Sequence, residues 1–214
     1  MYKHPAGTTH PQTDRLIGMG DIAPGYFFFM GGFLAVYTIA SKASRQTGSG
    51  LVGYILDIVH RFFKIYPGAC VAILFYWIIM PGLINGPLWT RYIGAIQVCE
   101  ERWQDKFLLK DNWTFQVFDH CASWTWYIDV DFQLYPLIAL LAYVFIQHKC
   151  MKYVVYAAII FLIHYSVNSG LGMIHVTERT GRNPKEVWYQ YPPVRAFEIL
   201  IGAFFGLQYY EYAK

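Results

Sequence analysis

The amino-acid sequence predicts an all-α polytopic membrane protein with about five transmembrane helices and one interfacial amphipathic helix. Charged residues make up 14% of its 214 residues, whereas an ordinary soluble domain carries about 25%. Hydrophobic residues make up 56%. They are gathered in runs whose lengths are close to the roughly 20 residues needed to cross a bilayer. We expect one domain over residues 22–214, preceded by a polar leader over residues 1–21 that lacks a signal-peptide pattern.

Five apolar runs define the predicted spans. The first covers residues 22–41 and the second lies within residues 65–90, and neither contains Asp, Glu, Lys or Arg. The third covers residues 128–147, and the fourth lies within residues 153–177. The fifth, over residues 194–210, carries two charges, Arg195 and Glu198, in its first turns.

The segment over residues 51–64 is predicted to be an amphipathic helix in the membrane interface. Asp57, His60, Arg61 and Lys64 recur at i, i+3, i+4 and i+7, which is one face of a helix. Cations at that depth attract the phosphates of lipid head groups or of a cofactor. His60, Arg61 and Lys64 are therefore candidate phosphate ligands, and the alternative is a snorkelling positive anchor.

Loop charges predict the orientation of the chain. The connections over residues 42–64 and 148–152 are basic, whereas the long extramembrane loop over residues 85–127 mixes both signs. The positive-inside rule therefore puts the basic loops and the C-terminus on the matrix or cytoplasmic side. The net charge of +3 is dispersed, so no nucleic-acid partner is expected.

An aromatic and acidic stretch, residues 124–136, leads into the third span. It reads either as an interfacial aromatic belt or as one wall of a polar site. Asp129 and Asp131 lie about 200° apart on a regular helix, so they cannot face one site together. Paired acid–base catalysis by these two carboxylates is therefore not expected.

The fourth span contains two histidines, His164 and His175. An intramembrane histidine is a functional candidate, and a hydrogen-bonded bridge between helices is the alternative. The two lie about 16 Å apart along a helix, which is too far to share a metal ion. No metal site is predicted, because the cysteines also lack a Cys-x-x-Cys spacing. Gly202 and Gly206 form a small-xxx-small pair that favours close helix packing, and Gly31 and Gly32 could act similarly.

The long loop contains two of the four cysteines and a glycosylation sequon. Cys99 and Cys121 could form a disulfide in an oxidising compartment, and two free thiols are the alternative. Residues 112–114 read Asn-Trp-Thr, a sequon that is used only in the secretory pathway; an unmodified asparagine is equally compatible.

Several short motifs follow one another in order. They are FFFMGGFL at residues 27–34, RFFKIYP at 61–67, WTWY at 124–127, DFQ at 131–133 and YQYPPVR at 189–195. The series resembles the acyltransferase type 3 family, and its nose-resistant-to-fluoxetine branch is the most similar. The family-motif polar residues are Trp126, Tyr127, Asp131, Gln133 and Arg195.

The resemblance implies an integral membrane enzyme that moves acyl groups from a donor such as acyl-CoA. The family's base is a histidine at the end of a helix that precedes the Phe-Phe-Phe helix, and neither His4 nor His10 in the polar leader matches it. Where the family has an Arg-x-x-Arg pair, this sequence has Arg61-x-x-Lys64. The second position keeps its positive charge but lacks the planar guanidinium that binds phosphate with two hydrogen bonds. Family members have around ten spans, against five predicted here.

We therefore expect an acyltransferase-like pseudoenzyme that serves as an accessory subunit of a large membrane complex. The first candidate is a respiratory-chain or ATP-synthase assembly of the mitochondrial inner membrane. Expected partners are other membrane subunits and lipids, with bound phospholipid and no cofactor or catalytic residue. The alternative is a membrane-bound O-acyltransferase that transfers acyl groups from acyl-CoA to a lipid or small-molecule hydroxyl. It would bind acyl-CoA at Arg61 and Lys64 and use His60 or His164 as its base.

Overall fold

The computed structural model describes residues 23–44, 50–83, 86, 89–113, 121–180 and 189–213. Within these ranges the chain is helical and contains no strand, so the predicted all-α class is confirmed. The long helices are α1 (Ala23–Ser44), α2 (Leu51–Leu83), α3 (Trp89–Phe107), α4 (Trp126–Gln147), α5 (Lys152–Thr180) and α6 (Pro192–Tyr212). The predicted leader, with His4 and His10, lies outside the described residues.

Four segments of the described chain are long and apolar enough to cross a membrane. They are Ala23–Ala43, Leu51–Leu83, Ser123–Gln147 and Lys149–Val176. The fifth predicted span lies in α6, which forms as a helix but is not among the four. Arg195, Glu198 and Glu211 dilute its apolar content.

Helix α2 differs from the predicted interfacial helix followed by a separate span. Residues 51–64 are the first turns of one continuous helix that runs to Leu83 through a π-helical turn at Phe75–Ile79. The helix begins after Gly50, whose φ of 89° suits glycine. Pro67 does not end it, because neighbouring turns of a membrane helix can satisfy the backbone groups that proline leaves unbonded. The charged face of residues 57–64 therefore belongs to a long apolar helix.

The closest helix packing joins α1 and α6, which run parallel. A Cβ atom added at Gly32 would lie 2.1 Å from a carbonyl oxygen of α6, and one added at Gly202 would lie 1.9 Å from a carbonyl oxygen of α1. A Cβ atom at Gly206 would lie 2.9 Å from the side chain of Val36. These contacts confirm the small-residue interface, except at Gly31, which has open space around it.

Helix α4 lies at the centre of the bundle and contacts α1, α2, α5 and α6. The C-terminal ends of α1, α4 and α6 meet the N-terminal ends of α2 and α5 on one side. We call this side the basic end, because Lys42, Lys149 and Lys152 lie there, and the opposite side the loop end. Lys42 of the first predicted connection thus shares one side with Lys149 and Lys152 of the second, whereas Arg61 and Lys64 lie further along α2. The compartment that the basic end faces stays a prediction.

Candidate functional site

The first turns of α4 carry a group of polar and aromatic side chains that we call the hub. Its members are Trp126, Tyr127, Asp129, Asp131 and Gln133. Because successive residues of a helix are turned by about 100°, these side chains point to different neighbours. The hub therefore connects α4 to elements that are distant in sequence, and each contact is described below.

Asp131 pairs with Arg61 of α2. Arg61 Nε donates to Asp131 Oδ2 at 3.0 Å, and Arg61 Nη2 donates to Asp131 Oδ1 at 2.6 Å. This is a bidentate ion pair, for which the planar guanidinium of arginine is well suited. The guanidinium carbon also lies 4.2 Å from the ring centroid of Tyr135. His60 and Lys64, the other predicted phosphate ligands, are exposed.

Asp129 pairs with Lys106, in the last turn of α3. Lys106 Nζ lies 2.5 Å from Asp129 Oδ2, and the two side chains are only 1% and 2% exposed. Asp129 and Asp131 thus bind different cations on different elements, which confirms that they do not share one site. The pair therefore joins α3 to α4. Removing either partner would leave an uncompensated buried charge.

Gln133 holds the short segment that follows α3. Its Nε2 donates to the carbonyl of Leu109 and to Asn112 Oδ1 at 2.9 Å, while Trp113 Nε1 donates to Gln133 Oε1 at 3.0 Å. The Trp113 ring meets Tyr191 edge to face, with centroids 5.4 Å apart. Burial raises the pKa of Tyr191 above its usual value, because an apolar environment favours the neutral phenol.

The contact with Gln133 also bears on whether the sequon can carry a glycan. Asn112 is only 3% exposed and its side-chain oxygen accepts a bond from Gln133. A bulky glycan needs a surface position, so this asparagine is not an acceptor in the folded protein.

Trp126 and Tyr127 connect α4 to α6 and α1. Arg195 of α6 places its guanidinium carbon 5.3 Å from the Trp126 ring and 4.5 Å from the Tyr189 ring. The same guanidinium donates to the Tyr189 carbonyl at 2.7 Å and to Glu198 Oε1 at 2.8 Å. Tyr127 stacks on a phenylalanine of α1, with ring centroids 4.4 Å apart. The charge of Arg195 is thus held inside the bundle.

A second polar cluster, near the basic end, was missed by the sequence reading. Asp57 is buried and accepts bonds from Lys42 of α1 and from the Tyr143 hydroxyl of α4, the latter at 2.8 Å. The available signal was that Asp57 is an acid within a basic segment. An acidic residue reduces the positive charge of a basic segment, so a specific binding partner best explains its presence there.

A disulfide joins Cys99 of α3 to Cys121, with their Cα atoms 4.3 Å apart. Both cysteines are completely buried. The bond therefore ties α3 to the segment that leads into the hub. Cys70 and Cys150 are free thiols.

We expect Cys99→Ser to lower the free energy of unfolding by about 2–4 kcal/mol, because the cross-link closes a loop that is otherwise open in the unfolded chain. The measurement is the thermal unfolding midpoint in detergent, with Cys70→Ser as the control. Adding a reductant should lower the midpoint of the wild-type chain and leave that of Cys99→Ser unchanged. Equal midpoints for wild type and Cys99→Ser would contradict a stabilising disulfide.

The remaining candidate residues do not come together. His164 bonds to Asn168 of its own helix at 2.8 Å, and His175 lies 3.6 Å from Glu178. Within the described ranges, no group of three or more His, Cys, Asp or Glu side chains could hold a metal ion. The histidines therefore stand apart from the hub and from each other.

Comparisons with known proteins bear on this arrangement. A family model described as an acyltransferase domain matches residues 1–214. Nose resistant to fluoxetine protein 6 of Caenorhabditis elegans is 26% identical over 142 residues, which are 62% of this chain and 17% of that protein. No solved structure matches significantly. The apolar helices and the family match together indicate an integral membrane protein. Because the family model covers the whole sequence, the chain belongs to the acyltransferase type 3 family, in its nose-resistant-to-fluoxetine branch.

Proposed function

We propose that this chain is a non-catalytic member of its family and serves as an accessory subunit of a larger membrane assembly. The observation that carries the proposal is the engagement of Arg61, whose fork is bonded twice to Asp131 and covered by the Tyr135 ring. A phosphate brought to this guanidinium would meet the Asp131 carboxylate, which repels it. Arg61 is therefore better suited to joining helices than to holding an acyl donor.

The outer face of α5 supports a role in assembly. His164 and Asn168 lie within an apolar span and are exposed, and among the described residues their side chains bond only along their own helix. Polar side chains within a membrane normally face protein or a water-filled cavity rather than lipid. We propose that a transmembrane helix of a partner covers them and presents a hydroxyl or amide side chain for hydrogen bonding.

The test is co-migration in a mild detergent at native expression. We expect the wild-type chain to run with one high-mass complex, and His164→Leu/Asn168→Leu to reduce the bound fraction about tenfold, since two interhelical hydrogen bonds are worth about 1–3 kcal/mol. Ser169→Ala is the matched control, because its hydroxyl bonds to the Tyr165 carbonyl of α5 itself. A wild-type chain that runs as a free monomer would rule the proposal out.

We further propose that the loop end faces an oxidising compartment. The buried Cys99–Cys121 bond supports this orientation, because disulfides persist where thiols are not kept reduced. The lysines of the basic end support it too, through the positive-inside rule. The mitochondrial inner membrane stays a prediction, and co-fractionation with inner-membrane markers would test it.

The alternative, a membrane-bound O-acyltransferase, is favoured by one observation. His60 and Lys64 are exposed next to Arg61 on α2, where a base and a cation would serve an acyl donor. Under our proposal, the purified chain neither hydrolyses acyl-CoA nor transfers its acyl group. Turnover that disappears in His60→Gln, a surface substitution that leaves the Arg61 pair intact, would establish the enzyme instead.

A further inference from the structure

A cavity of about 310 Å³ opens at the basic end, between the ends of α4 and α6 and the start of α5. It is lined by Phe145, Ile146, Lys149, Lys152, Tyr210 and Glu211. Its volume lies within the range of small-molecule sites, about 300–1,000 Å³. One wall is apolar and the rim is charged, so the cavity matches a ligand with an apolar part and an ionic part.

The charges of the rim are unevenly matched. Lys152 forms an ion pair with Glu211 Oε1, and the Tyr156 hydroxyl donates to Glu211 Oε2 at 3.1 Å. Both oxygens of this carboxylate are thereby engaged. Lys149 is exposed, and its side chain has no ion-pair or hydrogen-bond partner among the described residues. The rim therefore presents one uncompensated cation beside the cavity.

Four other cations of the bundle are already paired with carboxylates. Lys42, Arg61, Lys106 and Arg195 each have a carboxylate partner from Asp57, Asp131, Asp129 and Glu198, respectively. Lys149, by contrast, is the first residue of the span Lys149–Val176. A cation at the end of such a span is well placed to meet the phosphates of lipid head groups.

We propose that this cavity binds the phosphate-bearing head group of a membrane phospholipid. The phosphate lies against Lys149, and the glycerol and first acyl carbons lie against Phe145 and Ile146. The site differs from the one predicted at Arg61 and Lys64, where the carboxylate of Asp131 occupies the arginine. It does not depend on the proposed accessory role, since a lipid would bind the isolated chain as well.

The test is native mass spectrometry of the full chain in detergent with three probes: a phosphatidylglycerol, the matching diacylglycerol and inorganic phosphate. We expect binding of the phosphatidylglycerol only. Lys149→Gln should weaken it about fivefold, as for one cation at a membrane surface. Ile146→Trp, which fills the cavity and keeps its charges, should block it. Lys64→Gln, an exposed lysine of α2, is the control and should bind as wild type does.

Three results would overturn the proposal. Equal binding of diacylglycerol would show that the contact is apolar only, and equal binding of inorganic phosphate would assign the site to a soluble phosphate compound. If Lys149→Gln binds phosphatidylglycerol as wild type does and Lys64→Gln does not, the lipid site lies on α2. Because Lys149 is exposed, its substitution should leave the fold intact and the result interpretable.

Discussion

A Gly202→Leu variant is expected to lose about 3 kcal/mol of stability and to be poorly recovered as a folded monomer. Even one added carbon at this position would lie 1.9 Å from a carbonyl oxygen of α1, so the two helices must move apart. Overpacking of this kind costs about 1–3 kcal/mol and occasionally more. The close approach it removes also provides the van der Waals contact that joins membrane helices.

The experiment compares thermal unfolding midpoints and size-exclusion profiles in detergent. Gly31→Leu is the matched control, because it lies in the facing helix but has nothing within 4 Å of an added Cβ atom. We expect Gly31→Leu to behave like wild type. If both variants unfold at the same temperature, the parallel packing of α1 on α6 is wrong.

Asp131→Leu is expected to lower the free energy of unfolding by about 3 kcal/mol. Breaking a buried ion pair by removing one partner costs about 3–5 kcal/mol, because the other charge is left uncompensated. The lower value applies because the Arg61 side chain is 25% exposed, while that of Asp131 is 5% exposed. The unfolding midpoint, followed by tryptophan fluorescence, measures the loss.

Two further variants identify the cause. The double variant Arg61→Leu/Asp131→Leu should recover most of the stability, since apolar residues often replace a buried pair without loss. Lys110→Gln breaks an exposed pair with Asp105, whose side chains are 55% and 36% exposed. It should cost less than about 1 kcal/mol. A double variant as unstable as Asp131→Leu would mean that the pair is not the source of the effect.

Local patterns in the sequence predict the elements of this fold well. A run of apolar residues specifies a span whatever surrounds it, and the angle between Asp129 and Asp131 follows from helix geometry alone. One exception is the separation of an interfacial helix over residues 51–64 from a span within residues 65–90. The charges of the first segment favour an interfacial position, but Asp57 and Arg61 are paired with partners on other helices. Paired charges can lie inside a long helix, so α2 continues.

The partners themselves were beyond prediction from one sequence. Arg61 and Asp131 are separated by 70 residues, and Asp57 and Tyr143 by 86. Helical periodicity shows which residues share a face, but not which helix that face meets. The resemblance identified Asp131 and Gln133 as important without indicating their contacts. Nothing in the sequence singles out Lys106, because the predicted loop that contains it is rich in charges of both signs.

The parallel contact of α1 with α6 sets a time scale for folding in the cell. The face of α1 that contains Gly32 is completed by a helix that begins about 160 residues later. At a synthesis rate of about 5–20 residues per second, that delay is about 8–30 s. During this interval α1 must remain inserted without its final neighbour. The contact of α1 with α6 therefore forms only after α6 has left the ribosome.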